Sequence, residues 1–516
     1  MTGTLYLTTS LPYVNAAPHL GHALEFVHAD VLARHARARG RDVRLLSGTD
    51  DNAIKNVRAA AAAGLPVADF VAANAATFRR LLDGLDIAVD DQISTGTDSR
   101  HAPGVEWIWR ACSASGDLYR RSYRGLYCTG CEQFYAAEEL DGLRCREHGT
   151  EVEAISESNW FFQLSRYADQ IETLLASGTI AIEPAERAAE ALAFVRSGLA
   201  DISVSRPRRR SSGWGIAVPG DPEQVIYVWW DALVGYLSAL GLGADEPACE
   251  RWWCRSDRRI HLIGKGILRF HAVYWIGLLL SAGLPLPSAI FVHEYLTAGG
   301  RKIAKTSGDT VDPFEAIADH GVDAVRWWLI SDVSRRRDTD YDAGRVTARY
   351  RRDLAGGIGN LVNRSCRLLQ QARGGRLADL PGPDASRLLP ELPDVPTLID
   401  VALARYDLRA ATDSLGAAVA AANRRLEETA PWLLAARERT SGCTEPSLDQ
   451  VLTEVVSYCR VLADEFAIFV PGGAARLRVQ LGQDGRIGPP IEPAFPPVSA
   501  TSTSPEVVGA PTRAGC

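Results

Sequence analysis

A parallel α/β sheet, interrupted by an insertion and followed by an all-α bundle, is the fold class this sequence predicts, on three observations. Short apolar strands alternate with amphipathic helices near the N-terminus and again from about residue 226. The stretch between them, about 118–225, breaks the alternation and is richer in Cys, Tyr and Arg. From about 346 to 470 the chain is rich in Ala, Leu and Arg, with helical periodicity and no clear strand, as in a bundle. Its 516 residues allow about three domains at roughly 100–200 residues each.

Along the chain, residues 4–9 read as a short strand that runs into Leu11-Pro12-Tyr13 and then Pro18-His19-Leu20-Gly21-His22. Residues 21–40 place apolar side chains at helical spacing and end at Gly40; 41–51 read as a second strand with a polar end, and 51–64 as a second helix. Strand–helix–strand–helix with loops this short implies a Rossmann-type parallel sheet, whose ligands bind outside the carboxyl ends of the strands. That edge carries Pro12–Tyr13, His19–His22 and Thr49–Asp51. The expected divisions are 1–117 and 226–345 for the two halves of the sheet domain and 118–225 for the insertion. The helical domain takes 346–470, and 471–516 forms a Pro/Ser/Thr-rich tail, loosely packed or disordered.

Composition narrows the class. An apolar share of 46% argues against intrinsic disorder. No apolar run approaches the roughly 18 residues of a membrane span, and the N-terminus lacks the basic and apolar regions of a secretory signal. A soluble, cytoplasmic protein with no membrane partner is expected. Ten cysteines are too sparse for a disulfide scaffold, so clustered ones read as metal ligands or catalytic groups. A net charge of −7 does not advertise a polyanion partner. The basic runs 206–210, 334–337 and 349–352 are either local binding patches or solvated faces.

Only four of the 56 basic residues are lysine: Lys55, Lys265, Lys302 and Lys305. Lysine is a compact charge on a flexible stem, suited to phosphate oxygens, whereas arginine is a wide planar fork. Two of the four share the segment 299–309, whose glycines, hydroxyls and cations suit a mobile polyphosphate loop. In 18–22, Gly21 leaves room for a flat base or ribose against the backbone, and His19 and His22 can donate to phosphate beside helix amides. Read alone, either histidine can equally be a helix cap.

Cys128-x2-Cys131, thirteen residues and Cys145-x2-His148 form two chelating pairs. They match a closed Cys3His site for one structural Zn2+, with no position left for water. The other cysteines lack such spacing.

The histidine pair on the first strand–helix turn and the lysine loop after a late strand together resemble class I aminoacyl-tRNA synthetases. The family's two signatures, HIGH and KMSKS, read here as HLGH (19–22) and KIAKT (302–306). The resemblance implies that an amino-acid carboxylate joins the α-phosphate of ATP, supplied with Mg2+, that pyrophosphate leaves, and that the acyl group passes to a tRNA 3′ end. Catalysis of this kind is electrostatic and needs no side-chain nucleophile. His19, His22, Lys302 and Lys305 are the expected catalytic groups, joined by Gly21 and Thr306 in binding ATP.

The segments LPYVNAAPHLGHA (11–23), the single zinc knuckle, YVWWDALVGY (227–236), IGKGILRFHAVYW (263–275) and APW (430–432) are similar to methionyl-tRNA synthetases. The resemblance runs from about residue 4 to 470. It implies methionine and tRNA(Met) as partners, with a pocket made by Ser10, Leu11, Tyr13, Trp229, Ala232, Leu233, Tyr236, Ile267 and His271. Phe270 and Trp275 form the aromatic wall behind it, and Asp50 holds the ammonium. A thioether suits aromatic faces, each sulfur–ring contact contributing roughly 0.3–1.5 kcal/mol, and a Tyr hydroxyl and a His N–H are expected to address the sulfur. In the bundle, Asn360, Arg364 and Trp432 would read a CAU anticodon by stacking and base-edge hydrogen bonds, with Arg351, Arg352, Arg424 and Arg425 on the phosphates. With no evident dimerisation domain, a monomer is expected.

The sequence departs from the family pattern at several places. Ala304 lacks a hydroxyl, which costs about 0.5–1.5 kcal/mol of transition-state stabilisation. Asp309 stands where asparagine is usual. Gly266 follows Lys265 where the pattern has an aspartate facing the nucleotide, a loss of about 1.5–3 kcal/mol. Asn52 replaces a histidine and Glu294 a glycine. These changes fit a specialised second copy, for example one that resists an inhibitor, as well as a housekeeping ligase. Two further readings are a biosynthetic relative that adenylates an amino acid for a non-tRNA acceptor, and a non-catalytic tRNA-binding module.

Overall fold

Strand β1 (Thr4–Thr9) is buried at all but its first residue, as a strand must be when helices cover both faces of a parallel sheet. A computed structural model describes residues 3–147, 149–244, 247–303, 311–378, 392–483, 485–488 and 493–496. The main sheet adds β2 (Asp42–Thr49), β3 (Asp91–Ser94), β4 (Ala181–Glu183), β5 (Arg258–Gly264) and β6 (Ala289–His293), in the order β3-β2-β1-β5-β6-β4 with every pair parallel. From β1 the chain proceeds to β2 and β3 on one side, whereas β5 and β6 lie on the other. The crevice at the carboxyl ends of β1 and β5 is therefore the topological switch point.

The stretch 118–225 leaves this sheet and partly returns to it. Strands Leu118–Cys128, Gln133–Tyr135, Glu153–Phe162 and Ile202–Ser203 form an antiparallel sheet of their own. β4, inside the same stretch, pairs with β6 at the edge of the main sheet. Three apolar-flanked residues are too short a run to read as a strand from periodicity; the pairing exists because β6 offers an edge.

The helical region is built on Asn360–Arg373, Val395–Leu403, Leu408–Thr429, Pro431–Ser441 and Pro446–Phe466. It continues beyond 470, which corrects the loosely packed tail expected from there. Pro471–Leu481 is a helix with Ala474, Leu477 and Leu481 buried, and Pro471 stands at its first turn, where a fixed φ favours helix entry. Further on, Phe495 is buried, Tyr350 Oη donates to Pro496 O at 2.7 Å and Arg476 Nε to Ala494 O at 2.5 Å. Residues 497–516 lie outside the described residues. Among the described residues no single helix is long and apolar enough to cross a membrane.

Helix Leu20–Ala38 joins the two regions. Its Asp30 and Arg326 of helix Val322–Ser331 are fully buried and paired at 2.6 Å, and Arg326 also donates to Phe469 O and Leu85 O. His28 on the same helix lies 3.2 Å from Leu329 O. Burial, followed by the charge of nearby His293, lowers its pKa to about 3. The unfolded chain, with His28 near 6.5, binds more protons from there down to about pH 3, so this contribution is complete above 6.5 and is lost on acidification. His28→Gln, which keeps an N–H donor, is expected to reduce the fall in unfolding free energy by about 1.4 kcal/mol per pH unit between pH 6 and 4. Urea titrations at stepped pH check this; an unchanged slope would count against it.

Candidate functional site

Four loops meet at the switch point. After β1 the chain passes Ser10–Tyr13, where Tyr13 forms a parallel bridge with Asp50 and Pro12 O accepts from Asp50 N at 2.9 Å, which ties the ends of β1 and β2 together. β5 ends in the turn Lys265–Ile267, and β6 in His293, Glu294 and Tyr295. Beneath β1, Glu25 Oε1 accepts from both Ser10 N and Ser10 Oγ at 2.6 Å, and Oε2 lies 3.0 Å from His293 Nε2.

The histidine pair is both a cap and a donor pair. His19 Nδ1 accepts from Gly21 N at 3.1 Å, and His22 Nδ1 accepts from His19 N at 3.0 Å, closing a reciprocal capping box at the start of Leu20–Ala38. With Nδ1 an acceptor on each neutral ring, the ring hydrogen resides on Nε2. The rings stack at 3.9 Å, with the edge of Phe78 against His22. A Cβ on Gly21 would lie 2.9 Å from the His19 ring, so the glycine makes room for that ring.

Val311, the first described residue after the lysine segment, lies beside this cap. Leu20 N donates to Val311 O at 3.1 Å, and Lys302 pairs with Thr297 in the hairpin of Leu296–Ala298 and Arg301–Lys302. The side chain of Lys302, and Lys305 and Thr306 entirely, lie outside the described residues.

The expected amino-acid pocket is an aromatic cluster. Trp229 lies against Tyr274 (5.1 Å) and Phe270 (6.0 Å), with Leu233 buried on the same helix and Ala232 half-buried. Leu11 is buried; Ser10, Tyr13 and Ile267 are half-buried. Tyr236 lies beside His261 (4.6 Å) and His271 (5.7 Å). His271 Nδ1 faces the Ile267 carbonyl at 3.0 Å and therefore donates, leaving Nε2 to accept from Tyr236 Oη at 2.8 Å; burial lowers the His271 pKa to about 4. Both polar hydrogens are thus paired within the protein in this structure. Trp275 is fully buried behind, its Nε1 donating to His261 Nε2 at 3.1 Å; Thr8 Oγ1 bonds His261 Nδ1 at 2.7 Å.

Asp50 is buried, and burial, then Asp231, Asp51 and Glu132, holds its carboxyl well above the usual range. Such a group of acids favours an incoming cation. Asn52 ties Asp231 (2.7 Å) to Thr95 O, and His101 bonds the other oxygen of Asp231. Arg206 opens the basic run 206–210, expected as a local binding patch or a solvated face. Its guanidinium is buried over Tyr227 (4.0 Å), Nη1 reaching Tyr127 Oη and Glu132 Oε2. Its Nε and Nη2 have no hydrogen-bond partner among the described residues. Arg208 and Arg209 are exposed: the run splits where the buried strand Ser205–Pro207 gives way to the 3-10 turn Arg208–Ser211.

Cys128, Cys131 and Cys145 bring three sulfurs within 4.8 Å of one another, Cys131 and Cys145 being 3.4 Å apart. Thiolates around zinc at about 2.3 Å stand about 3.8 Å apart in a tetrahedron, so the donor set fits that ion. His148 lies outside the described residues. Lys55 Nζ, 3.6 Å from the Tyr13 ring centroid, donates to Gly130 O and joins this loop to the crevice.

Far from the crevice, Asn360 is exposed and Arg364, one turn on, is half-buried with Nη1 3.4 Å from Asn423 Oδ1. Trp432 is exposed in the first turn of Pro431–Ser441, after Ala430 in a left-handed conformation (φ 41°). Of the expected phosphate arginines, Arg352 pairs with Asp353 and Arg425 faces Glu454 at 3.9 Å; Arg351 and Arg424 are exposed. Asn423, which orients Arg364, lies on a different helix, so no spacing in the sequence could reveal it.

Comparison with known proteins places this arrangement. The family model described as tRNA synthetases class I (M) matches residues 5–149 and 135–366. The chain is 36% identical over 481 residues to a methionine–tRNA ligase of Brucella suis, covering 92% of this chain and 90% of that one. It is also 36% identical over 486 residues to that of Mycobacterium tuberculosis (strain CDC 1551 / Oshkosh), covering 93% and 92%. Among solved structures, M. tuberculosis methionyl-tRNA synthetase in complex with methionyl-adenylate matches with a TM-score of 0.88 at 33% identity, covering 96% of this chain and 100% of that one. The apo form matches with 0.82 at 31%, covering 98% and 99%.

Proposed function

Because the chain belongs to the methionine–tRNA ligase family of class I tRNA synthetases, we propose that its crevice joins the methionine carboxylate to the α-phosphate of ATP and then passes the acyl group to the 3′ end of tRNA. A carboxylate oxygen attacks the α-phosphorus, the bond to the α,β-bridging oxygen breaks, and pyrophosphate leaves with the charge. The Nε2–H groups of His19 and His22 stabilise that charge, joined by Lys302 and Lys305, while Thr306 adds a hydroxyl and Gly21 keeps the His19 ring in place. Mg2+ enters with ATP. The observation that carries this reading is the capping box, which commits both Nδ1 atoms and so makes each neutral ring a donor at Nε2, with Val311 beside the cap.

Asp50 holds the substrate ammonium, its acidic neighbours adding attraction. Trp229, Phe270, Tyr236 and His271, with Ser10, Leu11, Tyr13, Ala232, Leu233 and Ile267, enclose the side chain, and Trp275 supports them from behind. Cys128, Cys131, Cys145 and His148 hold one Zn2+, which when bound contributes folding energy to its loop and no open coordination position. Asn360, Arg364 and Trp432 read the CAU anticodon. The enzyme works as a monomer in the cytoplasm.

The test is methionine-dependent ATP–pyrophosphate exchange followed by charging of tRNA with a CAU anticodon. Both reactions are expected. Exchange without charging would favour the biosynthetic reading, and tRNA binding without exchange the non-catalytic one. Trp432→Ala is expected to leave exchange unchanged and to lower kcat/KM for charging by about 5- to 150-fold, the loss of one stacked base at about 1–3 kcal/mol. Equal effects on both reactions would remove the anticodon role.

A further inference from the structure

Glu294, where the family pattern has a glycine, follows β6 and brings a carboxylate into the interior. At 2% exposure its charge must be paired, and both oxygens are taken. Oε1 accepts from Arg187 Nε at 2.9 Å and Nη2 at 2.5 Å, and Oε2 accepts from Lys265 Nζ at 2.9 Å. Lys265 Nζ also donates to Asp338 Oδ1 at 2.6 Å and stands 4.6 Å from the Tyr295 ring centroid. One ammonium thus draws two carboxylates together. Although burial opposes charge there, Asp338 and Glu294 hold the Lys265 pKa above its usual value. Asp338 passes the anchorage on, because the oxygen that meets Lys265 accepts as well from Tyr295 N at 3.0 Å. From Tyr295 the chain enters Leu296–Ala298, which pairs in parallel with Thr339–Asp340 and antiparallel with Arg301–Lys302. The hairpin that leads to Lys302 therefore begins on this ion cluster. Arg187 belongs to helix Ala185–Arg196 of the insertion, and Arg335 with Glu183 (2.5 Å) adds a second pair between the insertion and the segment leading to Asp338.

We propose that Glu294 is a positioning residue that commits Lys265 to the base of this hairpin. Lys265 then serves the reaction through Asp338 and the Tyr295 amide, by placing the strand that leads to Lys302, and not as a ligand of phosphate. This rests on the ligase reading above. A lysine suits the place because a compact ammonium meets two carboxylates and a ring face at once, where a guanidinium is a wide planar fork. A glycine at 294 would leave the flexible Lys265 stem with Asp338 as its carboxylate partner. The buried carboxylate fixes the stem, and through Arg187 it joins the insertion to the lysine hairpin.

The experiment uses the full-length, metal-loaded protein with Glu294→Gln, Lys265→Met, the double variant and Asp338→Ala. ATP–pyrophosphate exchange is measured at varied ATP and methionine, and amide hydrogen exchange is followed over 295–302. Each single variant is expected to lower kcat by about five- to tenfold. The KM values for ATP and methionine should stay within about twofold, as when an interaction made only in the transition state is lost. The double variant should be within about twofold of its slower parent, because both changes break one chain of contacts. Amides 295–300 should exchange about tenfold faster in every variant. A lower KM for ATP in Glu294→Gln with a higher one in Lys265→Met would make the ammonium a phosphate ligand held back by Glu294, and overturns the proposal. So do multiplied effects in the double variant, and so does unchanged kcat or unchanged amide exchange in folded single variants. If a change at the buried carboxylate prevents folding, Asp338→Ala, whose side chain is 39% exposed, decides by the same criteria. Faster amide exchange in the variants, with no methionine-dependent pyrophosphate exchange in the unmodified protein, would overturn the ligase reading and leave the anchorage standing.

Discussion

Replacing His22 with alanine is expected to slow methionine-dependent pyrophosphate exchange by about 10²–10³-fold, the effect of removing one preplaced donor to a developing negative charge. The side chain has two roles, since Nδ1 accepts from His19 N and Nε2 carries the donor hydrogen. Losing the cap alone costs about 0.5–2 kcal/mol of stability. His22→Asn separates the two, because its carbonyl oxygen can keep the cap while the Nε2 donor is gone. Its melting temperature should stay near that of the unmodified protein while exchange remains slow. Rates within threefold of the unmodified enzyme for both variants, on the order of 0.6 kcal/mol, would remove the histidine pair from the mechanism.

If the proposed zinc site is correct, Cys145→Ala should release the ion, lowering the metal content from about one per chain to a small fraction, because three ligands hold it far more weakly than four. The folding energy at stake in that loop is on the order of 10 kcal/mol, by analogy with zinc-finger peptides. The damage should spread inward. Glu132, next to Cys131, is buried; its carboxylate meets Tyr127 and Arg206 and accepts from Lys55 N through Oε1 at 3.1 Å, and its carbonyl accepts from Tyr227 Oη at 2.5 Å. A loosened knuckle therefore raises the KM for methionine as well as exposing 128–153 to hydrogen exchange. Metal analysis together with hydrogen exchange checks both, and unchanged metal content would reject the site.

Much of the site was legible because its chemistry is local. HLGH and Cys128-x2-Cys131 are short enough for backbone geometry alone to bring their members together, and the structure stacks His19 on His22 and adds Cys145, from the second chelating pair, to Cys128 and Cys131. Strand–helix alternation likewise reveals a parallel sheet, since it follows from which residues must be buried. Less was legible where one residue type serves two environments. Arg206 and Arg209 are three apart in a single basic run, yet one is buried against Tyr227 and the other is exposed. Composition suggested a tail from 471, but Pro471-Gly472-Gly473 opens a packed helix.

The sequence by itself determined the fold class, the spacing of the metal ligands and the two signature segments, because each depends on residues close together along the chain or on a periodic pattern of burial. Only the tertiary structure decided how distant groups share a space. It spent the Tyr236 and His271 hydrogens on each other and on a carbonyl, set Asn52 on Asp231, and filled the gap at Gly266 with Glu147 and Tyr295. The physical reason is that donors, acceptors and volume are settled by whichever neighbours the fold brings within about 3 Å, and nothing in the order of residues specifies those neighbours one by one.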